Sequence, residues 1–112
     1  MPYLRIQTTG ATDSAQTFLK KASRLVAQQL SKPEDYVMVS LEPSNAMLFA
    51  GSAEPTAFLE LRALGLPVKK TGELSRLLCE LVESELGISK ARVFLNFADV
   101  SPNMWGWNGE TF

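Results

Sequence analysis

Two stretches of helical periodicity, each flanked by runs of period two, divide this sequence into matching halves. Tyr3-Leu4-Arg5-Ile6-Gln7-Thr8 alternates apolar and polar residues, the pattern of a strand with one buried face. Phe18, Ala22, Leu25, Val26 and Leu30 then share one side of a helix, and Tyr36-Val37-Met38-Val39-Ser40-Leu41 is a strand rich in β-formers. The second half repeats the order. Thr56 to Leu64 alternates around Phe58-Leu59-Glu60-Leu61-Arg62. Leu74, Leu77, Leu78, Leu81 and Val82 form an amphipathic helical stripe, and Val93-Phe94-Leu95-Asn96-Phe97 is a strand. Between the halves, Ala46-Met47-Leu48-Phe49-Ala50 reads as a short strand.

The punctuation agrees with this division. Asp13 and Gln16 have the spacing of a capping box ahead of the first helix, and Pro33 ends it. Glu42-Pro43-Ser44-Asn45 is a turn, Gly51-Ser52-Ala53-Glu54-Pro55 and Gly65-Leu66-Pro67 are breaks, and Gly87 is a C-cap glycine. Leu30 to Val39 and Leu86 to Leu95 share a helix-exit, turn and strand-entry pattern. Two right-handed βαβ units predict one α/β domain over residues 1–112. It has a ferredoxin-like four-stranded sheet with both helices on the same face. The other face is left bare. Strands this apolar predict that association buries it.

A chain of 112 residues fits one domain, and at this size only about 60–70% of the unfolded surface is buried, so oligomerisation helps. The net charge is −1 with no basic run, which argues against nucleic-acid binding. There is no histidine and one cysteine, Cys79, so triads, Cys–His dyads and His-based metal sites are excluded by inventory. Neither a metal nor a cofactor is expected. Cys79, within Leu77-Leu78-Cys79-Glu80-Leu81, reads as packing, and a lone thiol fits a reducing compartment. No secretory signal opens the chain and no apolar run approaches membrane-spanning length, so a cytoplasmic protein without membrane contact is expected.

The sequence opens Met1-Pro2. A proline suits a strand start, where no ladder N–H is lost. It also has a chemical reading. If Met1 is removed, Pro2 carries a free secondary amine on a rigid ring. An α-amino group has a pKa of about 7.7–8, and an apolar pocket lowers it. Such a base is neutral near physiological pH and suits proton abstraction beside a carbonyl. Lys32 has two readings as well, a solvated cation at a helix C-terminus or an anchor for an anion.

Several elements occur together and in order: Met1-Pro2, Lys32-Pro33-x-x-Tyr36-Val37, Gly51-Ser52-x-Glu54-Pro55, Leu77-Leu78-Cys79-Glu80-Leu81, Ile88-Ser89-x-x-Arg92-Val93, Asn96, and Gly106-Trp107-Asn108-x-x-Thr111-Phe112. Through them the chain resembles the macrophage migration inhibitory factor and dopachrome tautomerase family over nearly its whole length. The resemblance implies a homotrimer whose three sheets close into a barrel, with a site at each subunit interface. It implies keto–enol tautomerisation of small aromatic 2-oxo acids such as phenylpyruvate, and of dopachrome-type compounds. Pro2 takes the place of the catalytic base, and Lys32 that of the lysine that binds the substrate carboxylate. Leu64 falls where the family offers a backbone N–H, Asn96 where the neighbouring subunit contributes a polar group, and Tyr36 and Trp107 where aromatic side chains wall the pocket.

The departures from the family pattern are specific. Phe94 stands where many relatives carry a tyrosine and so lacks a hydroxyl in the pocket. Trp105 replaces a smaller residue and narrows the mouth. Thr56 and Leu59 replace a Cys-x-x-Cys pair, which leaves a thiol oxidoreductase role no residues to run on. Neutral residues at Gly10-Ala11 and Ser44 occupy positions of charged receptor-docking residues. These positions argue against carrying over the cytokine role. The alternative reading, for which Phe94 leaves room, is a trimeric cytokine-like interaction protein with vestigial catalysis and a protein receptor.

Overall fold

In the computed structural model, which describes residues 1–112, the first strand begins at the second residue. β1 (Pro2–Thr8), α1 (Ala15–Gln29) and β2 (Met38–Pro43) form one βαβ unit, and β3 (Ala57–Leu64), α2 (Thr71–Leu86) and β4 (Val93–Val100) form the other. The sheet order is β2-β1-β3-β4. β1 runs parallel to β2, β3 parallel to β4, and the halves join antiparallel where Pro2 faces Ala63 and Thr8 faces Ala57. A small hairpin of β5 (Gly106–Trp107) and β6 (Glu110–Thr111) completes the chain.

Period two in the central strands makes the core. Pro2, Leu4, Ile6 and Thr8 of β1 and Ala57, Leu59, Leu61 and Ala63 of β3 are buried. They meet Phe18, Ala22 and Val26 of α1 and Leu74, Leu78 and Val82 of α2 in one apolar cluster. Both helices cover the same face, as the two-unit reading expects. Cys79 is buried there too, and burial raises its thiol above the ordinary value.

The uncovered face differs from the sequence expectation. It is polar at its centre, not apolar. Arg5 pairs with Glu42 on one side and Glu60 on the other, and Tyr3 shares a 2.9 Å hydrogen bond with Ser40. Alternation puts these groups on the face opposite the core, where a charge network keeps them solvated. Apolar exposure lies instead toward the outer strands and loops, at Met38, Leu48 and Phe94.

Several boundaries also move. The Asp13–Gln16 capping box does not form. The N-cap is Ser14, whose φ of −96° and ψ of 22° are not the extended geometry that aims a side chain at the helix N–H groups. Pro33 does not end α1, which stops at Gln29. Ser31 is left-handed at φ 53°, its N–H bonds the Gln28 carbonyl at 3.3 Å, and the Lys32 N–H bonds the Ala27 carbonyl at 2.9 Å. That pair of bonds is a Schellman ending with serine in the usual glycine position. Gly87, at φ 69°, caps α2 as expected. Tyr36 leaves the second strand for a short 3-10 turn, Glu34–Tyr36. The segment 46–50 joins no sheet. It is one side of a tight hairpin with paired Phe49 and Ser52, where Ala50 and Gly51 both have positive φ.

The shared motifs explain that hairpin. The Arg92 guanidinium donates to the carbonyls of Phe49, Ser52, Glu54 and Pro55 at 3.0 to 3.2 Å, and it lies 5.3 Å from the Phe49 ring centroid. The Arg92-Val93 and Gly51-Ser52-x-Glu54-Pro55 elements are thus two halves of one fastening, remote from Pro2.

Candidate active site

Pro2 is buried at one end of β1, so its ring is held at a fixed place in the sheet. The Schellman ending of α1 turns the chain so that Lys32 comes back toward that end. Burial first, and the Lys32 charge second, push the Met1 amino group below its ordinary value. The 3-10 turn after Pro33 delivers Tyr36, and the β5–β6 hairpin delivers Trp107. Asn108 and Gly109 make that hairpin possible, with φ of 53° and 81° at the two turn positions. The Tyr36 and Trp107 rings meet edge to face with centroids 5.7 Å apart, and Phe112 stacks on Trp107 at 6.4 Å.

These segments enclose a cavity of about 320 Å³ whose walls include Met1, Pro2, Tyr36, Val37, Trp105 and Trp107. Trp105 lies in the wall, where the sequence reading put it. Three lining residues escape that reading, Tyr3, Asp35 and Met38. Tyr3 follows Pro2, and Asp35 occupies an unspecified position between Pro33 and Tyr36. Asp35 is the one charged side chain on the wall, and only its place in a motif spacer signals it. Lys32 acts on the chain start through its charge but does not line the cavity.

The remaining site residues lie apart within one chain. Leu64 ends β3 and pairs with Val100. Pro2 is level with Ala63 and Asp99, whereas Asn96 is level with Glu60 and Phe94 with Phe58. At about 3.3 Å per residue, Asn96 and Phe94 lie roughly 10 and 16 Å farther along the sheet, and two strands across. Phe94 is 62% exposed, and its ring packs on Phe49 at 4.7 Å. A single chain therefore joins Pro2, Lys32, Tyr36 and Trp107 and separates them from Asn96 and Phe94.

A sequence profile of the family described as macrophage migration inhibitory factor matches residues 1–112. The chain belongs to the macrophage migration inhibitory factor family. It is 38% identical to the macrophage migration inhibitory factor homolog of Brugia malayi, over 100% of this chain and 99% of the relative. It is 32% identical to that of Xenopus tropicalis with the same coverage. The crystal structure of a homologue from Prochlorococcus marinus superposes with a TM-score of 0.93 at 40% identity, covering 98% of each chain. The Trichinella spiralis factor superposes at 0.92 with 34% identity, over 98% of this chain and 99% of the other. The four-stranded sheet and two helices are thus the fold of this family. No helix is long and apolar enough to cross a membrane.

Proposed function

We propose that this protein is a cytoplasmic homotrimeric keto–enol tautomerase for arylpyruvates, with the Pro2 nitrogen as general base once Met1 is removed. The observation that carries the reading is an aromatic-walled cavity that holds the buried Pro2 beside a Met1 amino group that burial, and then the nearby Lys32 charge, depress. In this mechanism the neutral Pro2 nitrogen takes a proton from the carbon beside the ketone. The C–H electron pair becomes the new C=C bond, the C=O π pair moves onto oxygen, and that oxygen takes a proton back from the protonated Pro2 nitrogen, directly or through water, which gives the enol and restores the base. Lys32 holds the carboxylate, the Leu64 N–H faces the substrate, and Tyr36 and Trp107 flank the aryl ring. Asn96 and Phe94 of one chain complete the cavity of the next, which is why they stand apart within a single chain. An assay of phenylpyruvate tautomerisation tests this. Turnover that disappears in Pro2→Ala, in a protein that keeps its assembly, supports it. Wild-type chains free of Met1 that show no turnover overturn it.

A second reading is a trimeric interaction protein with vestigial catalysis. The absent hydroxyl at Phe94 and the names of the relatives favour it. The same assay separates the two, because this reading expects the assembly without meaningful turnover.

A further inference from the structure

The Pro2 cavity has two unlike ends. At the chain start stands the buried Pro2, and the Lys32 charge acts there, depressing the Met1 amine after burial has done so. Asp35 has no part in that shift, although it lies on the same cavity wall. Its place is toward the aromatic end. It belongs to the 3-10 turn Glu34–Tyr36, the turn that delivers Tyr36 to the cavity. There the Tyr36 and Trp107 rings stand at 87° to each other and form a corner, and both are about half exposed.

This corner has the chemistry of a cation seat. The face of an aromatic ring is negative, so it attracts a cation placed within about 6 Å of the centroid and disfavours an anion. Asp35 adds a full negative charge beside those rings. It takes part in none of the four ion pairs of the chain. The groups that the proposed trimer brings to this cavity from the next chain, Asn96 and Phe94, are uncharged. The cavity is therefore polarised, with a positive pole at Lys32 and a negative one at Asp35.

We infer that Asp35 is a specificity-determining residue that receives a cationic group at the far end of the substrate's aryl ring. The preferred substrate class is then a 2-oxo acid whose ring bears an ammonium or other cationic substituent. Its carboxylate points to Lys32 and its cation to Asp35, so both poles of the cavity are matched. The inference rests on the tautomerase reading for the direction in which the substrate lies.

The test compares phenylpyruvate with its para-trimethylammonio and para-carboxy derivatives, which place a fixed cation or an anion at one ring position. The proteins are wild type, Asp35→Asn, Asp35→Lys and Glu34→Gln. Asp35 is exposed on a turn, so its variants are expected to fold. Binding is read from quenching of tryptophan fluorescence, which Trp105 and Trp107 report, and turnover is read separately. Wild type is expected to bind the cationic derivative roughly three- to thirtyfold more tightly than the anionic one, the scale of a partly exposed charge interaction and a cation–π contact together. Asp35→Asn shrinks that ratio to the aromatic share, and Asp35→Lys lowers it further. Glu34→Gln removes the same charge from the same turn but outside the cavity wall, and is expected to leave the ratio in place. An Asp35-dependent ratio in binding, with no turnover of any of the three compounds, overturns the tautomerase reading and keeps the cation seat. Turnover of phenylpyruvate without a preference for the cation in wild type overturns the role of Asp35 and keeps the tautomerase. A ratio that Asp35→Asn leaves unchanged, or that Glu34→Gln lowers equally, overturns that role as well.

Discussion

At the chain start, one covalent bond decides whether a base exists. With Met1 attached, the Pro2 nitrogen is an amide, and its lone pair is delocalised into the peptide group. Activity is therefore expected to track the fraction of chains lacking Met1, measured by intact mass. Full turnover in a wholly Met1-bearing sample would remove Pro2 from the mechanism. In the proposed mechanism Lys32 acts twice on this site. Lys32→Ala is expected to raise KM for phenylpyruvate roughly ten- to hundredfold, and to harm the acid more than its ester, through loss of a charge-assisted hydrogen bond. The Lys32 charge lowers the pKa of the Met1 amino group, second to burial; if it reaches the Pro2 amine of the trimmed chain in the same way, Lys32→Ala raises that amine's pKa. Because kcat/KM falls as the amine takes up its proton, the falling limb of the pH–rate profile then moves to higher pH. A profile that stays in place would show that the Lys32 charge does not reach the base. Pro2, Lys32, Tyr36 and Trp107 are legible in the sequence because each sits in a short motif. Tyr3, Asp35 and Met38 are not, because they matter only by bordering the Pro2 cavity, and spacing along the chain does not reveal that.

Among the elements, the Arg92 fastening makes the clearest energetic statement. One guanidinium serves carbonyls of four residues in the segment that links the two βαβ units. Arg92→Ala strands these acceptors in a half-exposed loop, so a loss of about 1–3 kcal/mol in unfolding free energy is expected from urea titration. Arg92→Lys is expected to recover little of it, since an ammonium cannot reproduce the fork. An unchanged midpoint in Arg92→Ala would mean that the loop's carbonyls are as well served by water. Strands and helices were readable from periodicity because both rest on burial of one face. The ends were less so. Asp13 has the right spacing for a cap but precedes the wrong residue. Ser31 stops α1 ahead of Pro33 by adopting a left-handed conformation that sequence alone rarely assigns to serine.

For the molecule as a whole, the question is what the polar face of the sheet meets. Light scattering is expected to return three times the 12.3 kDa chain mass at micromolar concentration. A monomer mass would dismantle the shared site, because Asn96 and Phe94 then have no cavity to complete. The topology follows from the repeated strand–helix–strand order. The expectation that an apolar bare face drives association does not, since Arg5, Glu42 and Glu60 occupy its centre. In the proposed trimer, association draws instead on the exposed apolar groups toward the outer strands, Met38 and Phe94 among them. The Pro2 cavity has a further consequence. Its walls come from the first three residues, from the turn entering β2, and from the hairpin after β4. Those pieces lie at opposite ends of the sequence, so this is a site of maximal sequence separation in a small domain. The sheet and both helices use nothing beyond Val100, whereas the cavity needs Trp105, Gly106 and Trp107. The scaffold and its hollow are therefore separable, and the last hairpin is what turns the one into the other.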